Sequence, residues 1–278
     1  MSERNGETEL EAIELSLLLE GLYRSYGVDL RDYAPGLLRG RIHECMQQER
    51  AATISGFQEK VLHDRECLER LLLTLSSNRT SFFRDPGFYL IFRSRVVPLL
   101  RTYPFVRIWF AGCSTGEEVY SLAILLEEEG IYQRCRIYAT DLSREVVRRA
   151  RDGSFPLSGV REYTSNYLHS GGRHYLSEYY TTHEGRMHFS PALRRNVIFS
   201  EHNLVTDGSF NEFQVVICRN VMSQFKPLLQ ERVHELIYES LDTFGVLGLG
   251  SRESLQFSPR EAFYETLDDE YRLYRKVL

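Results

Sequence analysis

The sequence predicts an α/β fold, a doubly wound sheet carrying a small antiparallel β insertion and preceded by an all-α N-terminal domain. Three observations predict it. The run Phe105–Ala111 is short, mostly apolar and rich in β-branched and aromatic residues, as a buried strand should be. It stops at a turn with two glycines, Gly112 and Gly116, and a helix follows with Val119, Leu122, Ala123 and Leu126 on one stripe before Gly130. The second observation is a second strand, Cys135–Thr140, which ends at Asp141 and leads into a helix from about Arg144 to Arg151. The third is that the first 75 residues or so show helical periodicity alone.

Taken in order, residues 1 to about 8 read as a frayed polar tail. Leu10, Ile13, Leu17, Leu18 and Leu22 then recur at helical spacing from Glu9 to about Tyr26, and Gly27 ends that helix. Pro35 and Gly36 punctuate a turn. Further helices are expected from Leu37 to about Arg50, Ile54 to Leu62, and Asp64 to about Leu75. These make a helical N-terminal domain over 1–77. The segment 78–86 joins it to the remainder and contains Phe82 and Phe83 beside Arg84. Exposed aromatic pairs are costly, so these should pack on the larger domain, 87–278, and hold Arg84 in a fixed place. Residues 87–102 read as one helix. From about 153 to 195 the composition shifts to Tyr, Ser, His and Gly, and Tyr179–Thr182 with Arg186–Phe189 alternate as a hairpin. Strands follow at 196–204 and 213–218, a helix from Phe225-Lys226-Pro227 to about Leu241, and last strands at 246–250 and 271–277.

Composition narrows the partners. Hydrophobic residues make up 42% and charged residues 26%, values of an ordinary soluble globular chain. The net charge of −5 offers no electrostatic case for nucleic acid or an anionic membrane. No apolar run reaches the roughly 20 residues that cross a bilayer, and the start lacks a signal peptide, so a cytoplasmic location is expected. Five scattered cysteines without a CxxC pair argue for reduced thiols. His169, His174, His183 and His188 fit no standard metal spacing, so no metal is expected.

In doubly wound sheets ligands sit beyond the carboxyl ends of the strands. Asp141, Asn203, Arg219 and Asn220 all occur at such ends, together with the glycine turn. An acid at the end of the second strand is where these folds hold a ribose; the other reading of Asp141 is a helix N-cap or turn residue. Two glycines four apart are not the dinucleotide fingerprint. A ribose without a pyrophosphate loop points to an adenosine cofactor such as S-adenosylmethionine.

The strings Asn78-x-Thr80-x-Phe82-Phe83-Arg84, Gly112-Cys113-Ser114-Thr115-Gly116-Glu117-Glu118-x-Tyr120-Ser121, Ala139-Thr140-Asp141 and Cys218-Arg219-Asn220-Val221-Met222 occur in this order. They resemble the chemotaxis-receptor glutamate methyltransferases of the CheR type, over nearly the whole chain. The resemblance implies a Rossmann-like, S-adenosylmethionine-dependent methyltransferase domain behind the helical one. It implies that Glu118 and Asp141 contact the cofactor, that Asn203, Leu204, Arg219 and Asn220 line the rest of its pocket, and that Asn78, Thr80 and Arg84 reach it from the interdomain segment. Arg84 would be the catalytic residue nearest the transfer site. The implied activity is methyl-ester formation on glutamate side chains of a chemoreceptor or related signalling protein.

Three stretches depart from that family's pattern. Where it continues Ile-Tyr-Phe-Asp, this chain has Ser223-Gln224-Phe225-Lys226; where it has Gly-His-Ser-Glu, this chain has Gly250-Ser251-Arg252-Glu253; and the second helix lacks dense basic residues. These motivate an alternative, a non-catalytic S-adenosylmethionine-binding regulator in a chemosensory-type complex. A third reading is a nucleic-acid or small-molecule methyltransferase; nucleic acid is disfavoured, because the place after the fourth strand reads Arg219-Asn220-Val221-Met222 instead of an Asn/Asp-Pro-Pro-aromatic motif and the net charge is acidic.

Overall fold

The computed structural model describes residues 2–76, 80–256 and 258–277. Four helices open the chain: α1 (Ser2–Tyr26), α2 (Pro35–Glu49), α3 (Ile54–His63) and α4 (Arg65–Ser76). Helix α1 begins at Ser2, so the expected polar tail is helical. Its buried face is Leu15, Leu18, Leu19 and Leu22, while Leu10, Ile13 and Leu17 are more than half exposed. The leucine-rich run supports two stripes, and packing against α3 selects one of them. Pro35-Gly36, expected as a turn, is instead the first turn of α2, where proline's fixed φ and missing N–H cost nothing.

Residues 87–102 are not one helix. Helix α5 (Pro86–Ile91) passes through a π turn at Phe92–Val96 into α6 (Val97–Leu100). The Val97 N–H bonds back to the Phe92 carbonyl, and Pro98 has no N–H to continue the ladder. The sheet then begins: β1 (Val106–Ala111), α7 (Glu117–Glu128), β2 (Cys135–Asp141) and α8 (Arg144–Asp152). The insertion holds β3 (Ser154–Pro156), α9 (Val160–His169), β4 (Tyr180–His183), β5 (Arg186–Phe189) and α10 (Pro191–Arg194). Its antiparallel order is β3-β5-β4. The chain finishes with β6 (Val197–Glu201), β7 (Phe213–Cys218), α11 (Pro227–Ser240), β8 (Leu241–Leu249), β9 (Tyr264–Asp268) and β10 (Leu273–Lys276). Sequence patterning found neither β3 nor β9, both too short or too polar to alternate.

The main sheet has the order β6-β2-β1-β7-β8-β10-β9, with β10 antiparallel to β8 and β9. Along β1, Trp109 and Ala111 join the core that contains the N-terminal helices and α11, while Ile108 and Phe110 join the one beneath α7. Both faces are covered, which is why β1 reads as a continuous apolar run. Register pairs Ala111 with Thr140, so Gly112 and Asp141 leave the sheet side by side. Phe82 and Phe83 are fully buried, Phe82 against Phe155 and Phe189 of the insertion, Phe83 against Tyr89 and Tyr167. The insertion is further tied to α7 through buried Glu128, which accepts the hydroxyls of Tyr167 and Tyr179 and pairs with Arg93. All five cysteines are buried and free, and no helix among the described residues is long and apolar enough to cross a membrane.

Candidate functional site

The carboxyl edge of the sheet is shaped by the turn after β1. The amides of Gly112 and Cys113 both donate to the Thr140 carbonyl at 2.9 Å, which folds the turn over the end of β2. Gly112 has φ +79°, and a Cβ there would stand 2.6 Å from a Val221 methyl. Gly116 has φ +98° and lets α8 approach so closely that a Cβ would meet that of Ala150 at 2.9 Å. Both positions exclude other side chains twice over, by backbone sign and by packing. Ser114, also left-handed at φ +49°, turns its N–H onto Asp141 Oδ2 at 2.9 Å. Asp141 is only 6% exposed; burial raises its carboxyl pKa, and the Ser114 N–H works against that rise. The N-cap of α8 is Ser143. Asp141 is therefore not the N-cap, although its Oδ1 accepts the Ser143 N–H at 3.4 Å in the turn that leads into α8.

A cleft opens beside this carboxylate, enclosing about 530 Å³ with its mouth included. Gly112, Asp141, Asn203 and Leu204 line it from the sheet, with Gln224 from the loop after β7 and Tyr33 from the connector between α1 and α2. Asn203 shapes its own turn, its Oδ1 accepting the Val205 N–H at 2.9 Å and its N–H bonding to Asp207. The connector is stitched to the loop: Ala34 N–H donates to the Gln224 carbonyl at 2.7 Å and Lys226 N–H to the Asp32 carbonyl at 2.8 Å. The Tyr33 ring meets Phe225 edge-on at 5.0 Å. Sequence reasoning missed Tyr33, which sits in a turn without periodicity and reaches the cleft only through this long-range pairing.

A second cluster adjoins the first across Gly112 and Val221. Its centre is Arg219, 6% exposed and stacked 4.3 Å over the Phe88 ring. One guanidinium nitrogen binds Glu118 and the Arg84 carbonyl, and the other binds Asp85. Burial raises the Glu118 carboxyl pKa, and the charges of Arg219 and then Arg84 pull it back. Arg84 is half-buried. Thr80 hydrogen-bonds Glu117 rather than Glu118, and Thr115 does so at 2.6 Å. Asn220 has φ +61° and gives its N–H to Glu253 at 2.8 Å. Asn78 lies outside the described residues. The structure thus gathers Asp141, Asn203 and Leu204 in the cleft and Arg84, Glu118 and Arg219 beside it. Asp85 escaped sequence reasoning, and Glu253, met only as the end of the stretch Gly250-Ser251-Arg252-Glu253, was given no role there, since an exposed-looking acid carries no sign of whom it pairs with.

These residues fit an adenosylated amino acid. The cleft combines apolar and aromatic walls, among them Tyr33, Leu204, Val221 and Phe225, with the Asp141 carboxylate and the polar side chains of Asn203 and Gln224, as a nucleoside requires. The Nε–H of Arg219 is buried and has no acceptor among the described residues, which is what an α-carboxylate offers. Glu118 offers an anion for an ammonium group.

Fold and cleft together define an S-adenosylmethionine-dependent methyltransferase. Residues 78–271 match the CheR methyltransferase SAM-binding domain and residues 13–76 the CheR methyltransferase all-alpha domain, and the chain belongs to the CheR methyltransferase family. Cher3 of Pseudomonas putida, which carries a provisional methyltransferase name, is 44% identical over 275 residues, 99% of each chain. The chemotaxis protein methyltransferase of Listeria monocytogenes is 27% identical over 88% of this chain and 91% of its own. Chemotaxis protein methyltransferase 1 of Pseudomonas aeruginosa is 27% identical over 93% and 94%.

Proposed function

We propose that this chain, in the cytoplasm, transfers the methyl group of S-adenosylmethionine to glutamate side chains of a chemoreceptor or related signalling protein, forming methyl esters. In this reading 1–77 is the helical domain, 78–86 the arm that brings Arg84 to the site, and 87–278 the methyltransferase domain. Asp141 holds the ribose, Asn203 and Leu204 flank the base, and Glu118 with Arg219 and Asn220 takes the methionine end. Asn78 and Thr80 belong to the arm. The observation that carries the reading is the joint at Arg219, where one buried guanidinium ties Glu118 of α7 to Asp85 and to the backbone of Arg84.

The chemistry suits such a site. A glutamate carboxyl has an ordinary pKa of about 4.3, so at neutral pH the acceptor is already a nucleophile and no general base is needed. The bound sulfonium supplies an electrophilic methyl: an O–CH₃ bond forms as the C–S bond breaks, its electron pair stays on sulfur, and no proton moves. Two opposite charges cancel in that step. The protein's part is therefore to exclude water, which stabilises the separated charges, and to align the acceptor oxygen. Arg84 orients the carboxylate; binding it too tightly would oppose loss of its charge.

Incubation with methyl-labelled S-adenosylmethionine and receptors of the same organism tests the proposal. Label that base releases as methanol is expected, and its loss in Arg84→Ala even at cofactor concentrations that saturate the variant. Cofactor binding without base-labile label on any receptor would leave the regulator reading standing.

A further inference from the structure

We infer that Glu253, on the loop after β8, is a positioning residue that sets the Arg219-Asn220 backbone for the cofactor; this rests on the site reading above. The residue is 4% exposed. One carboxylate oxygen accepts the N–H groups of both Gly250 and Asn220 at 2.8 Å, and the other accepts that of Ser223 at 3.2 Å. Three backbone donors from the ends of two neighbouring strands thus converge on a single buried anion. Hydrogen bonds to an ionised acceptor are about twice as strong as neutral ones.

The geometry shows what that anion restrains. Asn220 sits at φ +61°, in the left-handed region that Asn tolerates better than most L-residues, and the Glu253 carboxylate fixes its N–H there. It lies between Arg219, whose guanidinium organises Glu118 and Asp85, and Val221, which packs on Gly112. Releasing the Asn220 amide removes the anchor that fixes this turn and with it the placement of both neighbours. Gly250 is part of the same device, because a Cβ there would stand 2.8 Å from Asn220 N, Asn220 Nδ2 and Glu253 Oε2. Ser251 and Arg252, between the two, are exposed. Of the four residues at 250–253, the outer two hold the site and the inner two are free to vary, so the departures at 251 and 252 leave the cofactor end intact.

The test is titration with S-adenosylhomocysteine, which needs no acceptor and so reads independently of whether glutamate is the substrate. Glu253→Gln offers one acceptor oxygen in place of two and turns an NH₂ toward a backbone N–H. It is expected to bind at least tenfold more weakly at temperatures where it is fully folded, with the amide proton resonances of Asn220 and Gly250 moving upfield. Gly250→Ala keeps the carboxylate but crowds the same amide, and is expected to weaken binding similarly; it serves if Glu253→Gln does not fold. The double variant Ser251→Ala/Arg252→Ala should bind within twofold of wild type. Binding within twofold by folded Glu253→Gln, or by folded Gly250→Ala, would overturn the inference, as would a loss that appears only where the protein is unfolding.

Discussion

The two ends of the site are built differently. At the ends of β1 and β2, position depends on glycines and on one side chain accepting from the adjacent turn, Ser114 N–H to Asp141. At the ends of β7 and β8, position depends on main-chain N–H groups held from other segments: the Glu253 carboxylate accepts those of Asn220 and Ser223, and the backbone of residues 32–34 pairs with that of 224–226. The first end tolerates little change in its residues. The second keeps its shape through main-chain groups and one buried carboxylate, that of Glu253, so other side chains such as Gln224 and Lys226 can differ from the family pattern without dismantling it.

Substitution at the two ends should therefore have unequal effects. The largest is expected for Gly112→Ala, which combines an unfavourable positive φ with overlap on Val221. Together these cost roughly 4 kcal/mol, seen as a lowered melting temperature. Affinity for S-adenosylhomocysteine should fall by roughly 100-fold. A variant of near wild-type stability and affinity would break the comparison at its stronger end.

Next comes the pH response of the β7–β8 end. His234 of α11 is 4% exposed and hydrogen-bonds the Ser254 backbone; burial lowers its pKa from 6.5 to about 4. The unfolded chain takes up the proton at the higher pH, so this histidine's contribution is complete above pH 6.5 and is lost as pH falls toward about 4. The full loss is about 3 kcal/mol. Denaturant titrations at pH 7 and 4.5 should show a smaller difference for His234→Gln than for wild type; equal differences would contradict the assignment.

Asp141→Asn keeps an oxygen for the Ser114 amide but gives up the charge. Hydrogen bonds to charged groups exceed neutral ones by about 1.4 kcal/mol, or roughly tenfold in affinity for S-adenosylhomocysteine by calorimetry. The smallest effect is expected for Lys226→Ala. Its ammonium binds the Arg31 carbonyl at 2.6 Å and lies 3.6 Å from Asp32, but it is 42% exposed. The stability change should stay within about 1 kcal/mol, because the backbone pairing remains. A larger loss would show that side chains other than Glu253 also hold this end.

The same contrast explains what could be read from the sequence. The β1 turn, the acid ending β2 and the apolar β7 before Arg219 announce themselves locally, through glycine spacing and periodicity over a few residues. Tyr33 and Asp85 act through partners at the far side of the chain, and Glu253, though it ends a stretch that the family pattern marks, reaches Asn220 and Ser223 across to the next strand, a pairing that its neighbours' pattern does not reveal. Helix α1 shows the limit of periodicity itself: with leucines on two faces, only the position of α3 decides which face is buried. The π turn at Phe92–Val96 was invisible because the apolar spacing of a helix continues through it.

The most direct measurement is a crystal structure with S-adenosylhomocysteine bound. The account predicts the Asp141 carboxylate within hydrogen-bonding distance of the ribose hydroxyls, the amino-acid end against Glu118 and Arg219, and the Arg84 side chain beside the sulfur. A ligand seated away from Asp141, or Arg84 remote from the sulfur, would contradict it.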